Sequence, residues 1–274
     1  MNKNKKLFVQ KFEKENNICN ICEYEKKLTE DHVPPKSCVS ISNRVVYLLS
    51  HALTGDNSFK PRLVQNGITF KTICARCNND LGRYDKYLLD LKEKIEVCVK
   101  SKLILPDTIE VECCPNAIMR SVLGHILAAR TGVNESIIEN IIRPSIKDTL
   151  LPIDDDIHIF CWVYPYQETV IFRDFSMSAI RGKLDECHST SFFSLIKFYP
   201  LAFLVAYDLP VYSDLLSLHQ FNHINPEDKI LIKVDLKLHK QNFPEVPDGF
   251  DFIVFGRSAN DSVYSTPNYK TIKK

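Results

Sequence analysis

The chain contains no apolar run that approaches 18 residues, which excludes a membrane-spanning helix. It has no internal repeat and no low-complexity segment, so collagen-like and extended disordered classes are excluded as well. It also lacks a surplus of one charge sign: 35 Lys and Arg stand against 34 Asp and Glu, a net of +1. The start is basic, but no apolar stretch with a small-residue cleavage site follows it. No secretory signal is expected, and a cytoplasmic location is.

What is present is ordinary globular material. The 274 residues are 45% hydrophobic and 25% charged, enough for one large domain or two ordinary ones. The small net charge conceals an asymmetry. Residues 1–100 carry 18 basic and 12 acidic side chains, and residues 101–274 carry 17 and 22. A basic front half suits a polyanionic partner, and it equally suits an ordinary solvated surface.

Ten cysteines need a chemical reason. Without a secretory signal the expected compartment keeps thiols reduced, so a disulfide frame is not expected. Cys38, Cys98, Cys113, Cys114, Cys161 and Cys187 have no partner at metal-ligand spacing and read as small buried hydrophobes. The other four form two C-x-x-C pairs, Cys19/Cys22 and Cys74/Cys77. Each pair turns two thiolates toward one centre, and two pairs complete a closed tetrahedral zinc shell that contributes folding energy. A redox pair would need a βαβ setting that this region lacks.

Between the pairs stands Asp31-His32-Val33-Pro34-Pro35, and directly after the second pair comes Asn78. The order C-x-x-C, D-H-V-P-P, C-x-x-C-N resembles the zinc-containing HNH endonucleases, also called the His-Me or ββα-metal superfamily, over roughly residues 15–90. The resemblance implies a treble clef in which two strands and a helix cup one catalytic divalent ion. It implies His32 as the general base, Asp31 and Asn78 as ligands of a catalytic Mg²⁺ or Mn²⁺, and Cys19, Cys22, Cys74 and Cys77 as ligands of a structural zinc. The family's middle Asn, which orients the base through its backbone, falls at Thr69 here. Asn66 and Asn57 are the alternatives.

The residue types suit the chemistry. Imidazole can take a proton from water near neutral pH. One hard cation held by carboxylate and amide oxygens can neutralise charge on a phosphoryl group. Each residue also has a plainer explanation. Asp31-His32 would serve as a buried hydrogen-bonded pair, and Asn78 as a helix cap with Asn79 as a neighbouring alternative. Lys36, Lys71, Arg76 and Arg83 are candidate phosphate contacts or solvated surface.

The remainder is read for architecture. Helices are expected over 83–101, 116–130 and 134–148, the third interrupted near Pro144, and His125 on the second is expected to be packing. Strands are expected over 67–73, 157–164, 169–175, 192–198, 201–207, 229–238 and 250–256. Residues 43–51 read as a short strand or helix, 54–57 as a turn, and 154–156 as a solvated acidic turn. His219 and His223 sit among loop residues, and Trp162 is expected in the core.

The expected fold is therefore α+β: an N-terminal zinc-bound treble-clef nuclease module over 1–100, then helices and a mostly antiparallel β-sheet over 101–274. The expected function is metal-dependent hydrolysis of phosphodiester bonds in DNA, in the manner of restriction or phage-defence nucleases. The alternatives are a zinc-stabilised module that binds DNA or protein without cutting, and a nuclease acting on RNA. Residues 101–274 are a candidate surface for a protein partner, and no membrane partner is expected.

Overall fold

The structure is a computed structural model that describes residues 7–8, 11–39, 43–49, 51, 59–132, 135–178, 190–207, 215–237, 252–255 and 261–268. The turn expected at 54–57, Asn57, Cys187, His188, His239 and the tail 270–274 lie outside the described residues. No helix among the described residues is long and apolar enough to cross a membrane.

The chain is α+β, with mostly antiparallel sheets and three α-helices among the described residues. In order, β1 (Leu7–Phe8), β2 (Phe12–Glu13), β3 (Leu28–His32), β4 (Arg44–Leu48), β5 (Phe59–Lys60), β6 (Arg62–Val64) and β7 (Thr69–Cys74) precede α1 (Ala75–Val99). Next come β8 (Thr108–Cys113), α2 (Pro115–Ala128) and α3 (Ile137–Lys147). The rest is strand: β9 (Ile157–Val163), β10 (Thr169–Ser178), β11 (Thr190–Phe198), β12 (Leu201–Tyr207), β13 (Leu216–Ser217), β14 (Ile230–Asp235), β15 (Phe252–Phe255) and β16 (Val263–Pro267).

The large sheet runs β13-β9-β12-β11-β10-β16-β4-β6, with β15 also paired to β10. Its strands alternate with period two. Ile157, Ile159, Cys161 and Val163 of β9 join the main core, while Phe160, Trp162 and Tyr164 face a second cluster with Phe172, Phe175 and Phe193. Trp162 is core, as expected.

β4 and β6, from the first hundred residues, extend the C-terminal sheet through β16, with Tyr264 opposite Tyr47 and Ser265 opposite Val46. β4 had two readings in sequence and is a strand. β8 and β16 were not expected. β8 pairs antiparallel with β14, Val111 opposite Ile232. Its alternate residues Val111 and Cys113 are buried, and its strand partner lies far away in sequence, so the segment 108–113 carries little local signal.

α2 is the centre of the molecule, and every one of its residues is buried. A helix buried all round can still carry polar groups if each finds a partner. The Asn116 amide donates to the carbonyls of Asn222 and Ile224. Arg120 donates to Asn116 Oδ1 and to the Ser145 and Leu151 carbonyls. Gly124 lets α1 approach, because a Cβ there would overlap Leu81 Cδ1.

α1 buries Cys77, Leu81, Leu88, Leu91 and Ile95, a stripe at helical spacing. Val97, apolar but on the other face, is 71% exposed. α3 begins at a capping box: Ser136 Oγ accepts from the Glu139 N–H, and Glu139 Oε2 accepts from the Ser136 N–H. Pro144 is accommodated inside this helix, which ends at Lys147.

Candidate metal centre and adjoining cleft

The four expected thiols converge. Cys19 and Cys22 lie on the turn before β3, Cys74 ends β7, and Cys77 sits in the first turn of α1. Their sulfur atoms all lie within 4.8 Å of one another. Tetrahedral bonds of about 2.3 Å would separate sulfurs by about 3.8 Å, and Cys22 Sγ is 3.9 Å from Cys74 Sγ. The set fits one closed, thiolate-bound ion such as zinc. The Cys74 N–H donates to Cys19 Sγ at 3.3 Å. Hydrogen bonding from the Cys77 thiol, working against burial, brings the Cys19 thiol down to about 4, with help from backbone N–H groups.

The knuckle is fastened to α2. Asn20, between the first two cysteines, donates to the carbonyls of Leu127 and Arg130 at 2.9 and 2.8 Å. Thr72 on β7 donates to the Ala128 carbonyl at 2.5 Å. These bonds satisfy carbonyls that the end of α2 leaves without helical partners.

Beside this centre, β3 and β7 pair antiparallel and β7 runs straight into α1. A cleft of about 700 Å³ opens between β3 and α1, walled by Asp31, His32, Lys36, Asn78, Asp85 and Lys86 among others. Gly82 is part of the wall, and nothing lies within 4 Å of where its Cβ would stand.

His32 ends β3 with Thr69 opposite in register. The ring contact comes from elsewhere: His32 Nε2 lies 2.8 Å from the Asn66 carbonyl oxygen. Asn66, and not the in-register Thr69, therefore meets the His32 ring. A proton on Nε2 that donates to this carbonyl leaves Nδ1 as the acceptor of a neutral ring.

Asn78 is not a cap, because α1 starts at Ala75 with Cys74 as its N-cap. Its amide nitrogen donates to the Glu30 carbonyl at 3.3 Å and to Thr29 Oγ1 at 3.4 Å, bridging the helix to β3. The carbonyl oxygen of the side chain remains as an acceptor. Asn79, one residue on, is exposed.

His125 is buried, as expected of a packing residue, and it also carries two polar contacts that the sequence did not show. It is 1% exposed, and its Nδ1 lies 3.2 Å from Asp31 Oδ2 while its Nε2 lies 2.9 Å from Asp85 Oδ1. Ser121, one turn earlier, donates to the same Asp85 oxygen at 2.7 Å. Burial opposes a charge on His125, but the Asp85 and Asp31 carboxylates outweigh it and raise the ring to about 10. Asp31 is buried, and His125 takes up one of its two oxygens.

Of the four candidate phosphate contacts, Lys36 lines the cleft. Lys71 pairs with Glu13 at 3.5 Å, while Arg76 and Arg83 both lie near Asp80 on an exposed part of α1. Lys86 is the cation that α1 contributes to the cleft. Asp85 and Lys86 were missed in sequence. The signal for Asp85 was its place seven residues after Asn78, two turns along one helix face. The signal for His125 was a histidine four residues from a serine on an otherwise apolar helix.

Asp31, Asp85 and Asn78 together offer carboxylate and amide oxygens in one cleft beside an imidazole. That donor set fits a hard divalent cation. No known family, curated protein or solved structure matches the chain.

Proposed function

We propose that the protein is a metal-dependent endonuclease that hydrolyses phosphodiester bonds in DNA, with zinc in the four-cysteine centre. The reading is supported above all by one cleft in which His32, held at Nε2 by the Asn66 carbonyl, stands with Asp31, Asn78 and Asp85. The resemblance of the C-x-x-C, D-H-V-P-P, C-x-x-C-N order to HNH endonucleases points the same way.

In this mechanism His32 accepts the proton of the attacking water at Nδ1, while Nε2 keeps its proton on the Asn66 carbonyl and holds the ring plane. Asp31 and the Asn78 side-chain oxygen would hold Mg²⁺ or Mn²⁺, with Asp85 as a further oxygen donor in reach of the same cleft. When bound, that ion supplies neutralising charge for the phosphoryl group and the departing oxygen. His125 keeps Asp31 and Asp85 in place through its two ring nitrogens. Lys36 and Lys86 offer charge to flanking phosphates.

The test is incubation of purified protein with supercoiled plasmid and Mg²⁺ or Mn²⁺, with His32→Ala in parallel and zinc measured on both. Nicking or linearisation by the wild type, lost in His32→Ala at equal zinc, is the expected result. A wild type that binds zinc and cuts neither DNA nor RNA overturns the reading in favour of a non-catalytic binding module. Cleavage of RNA alone reassigns the substrate.

A further inference from the structure

Resting on the nuclease reading above, we propose that a second cavity beside the cleft is a phosphate subsite that holds the DNA strand several nucleotides away from the bond that is cut. This cavity, of about 350 Å³, is lined by Arg44, Lys92, Glu96, Lys100, Thr169 and Tyr199 among others. Ser37 lines both cavities, so the two adjoin. α1 runs under both: Asn78, Gly82, Lys86 and Leu89 belong to the cleft, and Lys92, Glu96 and its C-cap Lys100 belong to the second cavity.

The chemistry of the walls selects an anion. Three cations stand against one carboxylate. Glu96 is shared: its Oε2 accepts from Lys92 Nζ and its Oε1 from Lys100 Nζ. One carboxylate thus gathers two ammonium groups two helical turns apart on one helix face. Each ammonium has three N–H donors and uses one on Glu96, so both can still bind an oxyanion. Arg44 is fixed on the sheet side, where its Nη2 donates to the Gln167 and Ser265 carbonyls at 3.0 Å. Thr169 adds a hydroxyl, and Tyr199 lies with its ring centroid 5.8 Å from Lys100 Nζ.

The geometry selects a strand over a small anion. From Lys86 to Lys100 the helix rises about 21 Å, at about 1.5 Å per residue. That distance spans about six nucleotides of stacked strand, at about 3.4 Å each. Gly82 adds no side chain to the wall at the start of this path. A strand leaving the cleft along α1 therefore meets Lys86 first and the Lys92–Glu96–Lys100 cluster next.

The experiment measures binding of single-stranded oligodeoxynucleotides of 4 and 12 nucleotides to His32→Ala protein, with and without Lys100→Gln or Lys92→Gln/Lys100→Gln, across a salt series. Plasmid nicking is followed with the same lysine substitutions in the otherwise wild-type chain. The 12-mer should bind at least 5-fold more weakly after Lys100→Gln, and its salt slope should fall by about 0.7 for each phosphate no longer neutralised. The 4-mer should be unchanged. Inorganic phosphate at millimolar concentration should weaken the 12-mer more than the 4-mer. Lys100 is exposed, so its substitution keeps the test valid if Lys92→Gln perturbs folding. Equal 12-mer binding by all variants, with plasmid nicking intact, overturns the subsite and leaves the nuclease standing. No nicking and no oligonucleotide binding by the wild type overturns both.

Discussion

His125 Nδ1 lies 3.2 Å from Asp31 Oδ2, although 94 residues separate the two in the chain. With Asp85 Oδ1 at 2.9 Å from the other ring nitrogen, the imidazole faces a carboxylate at each end, and these carboxylates favour its doubly protonated form. This one buried ring connects the strand that bears His32 to α1 and to the central helix.

Removing that ring should leave two buried or half-buried carboxylates facing each other. His125→Ala is expected to destabilise the fold by roughly 3–5 kcal/mol, the usual cost of breaking a buried pair from one side. Urea denaturation of the zinc-loaded protein measures it. Divalent-ion affinity, read by Mn²⁺ titration, should fall in the same variant if the protein is still folded, because Asp31 loses the bond that holds it.

The four-cysteine centre makes the sharpest compositional prediction. Native mass spectrometry should find one zinc per chain. Cys74→Ser should lose it and unfold the region around β3, β7 and α1, since binding energy at such a site is folding energy. Cys113→Ser and Cys161→Ser, whose thiols are buried outside the cluster, should retain full zinc. Burial pushes the Cys113 thiol up to about 12, so it stays protonated and is a poor ligand at neutral pH.

A second buried network ties α3 to the sheet. Glu139, fully buried, pairs with Arg173 on β10 and with Arg130 Nε at 2.8 Å. Glu139→Gln preserves the capping box with Ser136 but removes the carboxylate that Arg173 and Arg130 share. A loss of roughly 3–5 kcal/mol is expected by chemical denaturation, with no change in zinc content.

Two glycines should respond in opposite ways to alanine. Gly82 is in mid-helix with open space around its missing Cβ, so Gly82→Ala should stabilise α1 by roughly 0.5–1 kcal/mol. Gly82→Leu should fill the cleft and reduce plasmid cleavage. Gly124→Ala drives a methyl into Leu81 and should cost roughly 1–3 kcal/mol before the gain in helix propensity is counted. Thermal melts of the three variants check the order.

Glu96 gives an acid-side signature. Hydrogen bonds from Lys100 and Lys92 hold its carboxyl below the usual range, against the effect of burial. A lowered folded value means that the pair stabilises the protein at pH above the unfolded carboxylate range. That contribution is lost as pH falls through the lower folded value. Glu96→Gln should therefore cost stability at pH 7, by under about 1 kcal/mol for a partly exposed cluster, and progressively less as pH falls. Urea midpoints at pH 7 and at the lowest pH where the zinc is retained measure the difference.

Much of the architecture was legible in local pattern. The strands at 157–163, 169–178, 190–198, 201–207 and 230–235 sit within two or three residues of where β-branched and aromatic runs placed them. The three helices followed their apolar spacing, although α1 starts eight residues earlier than expected because its first turn is polar and holds Cys77 and Asn78. β8 and β16 escaped, since their pairing partners are distant in sequence: β8 pairs with β14, and β16 lies between β10 and β4.

The sequence by itself determined the thiol set, the D-H-V-P-P segment and the helix from residue 83 onward, because turn chemistry, ligand spacing and helical periodicity act over a few residues. Only the tertiary structure decided that the Asn66 carbonyl meets His32, that His125 joins Asp31 to Asp85, and that β4 and β6 belong to the C-terminal sheet. Those choices come from burial. A polar group taken out of water must find a partner wherever the packed chain provides one, and no local spacing records which partner that will be.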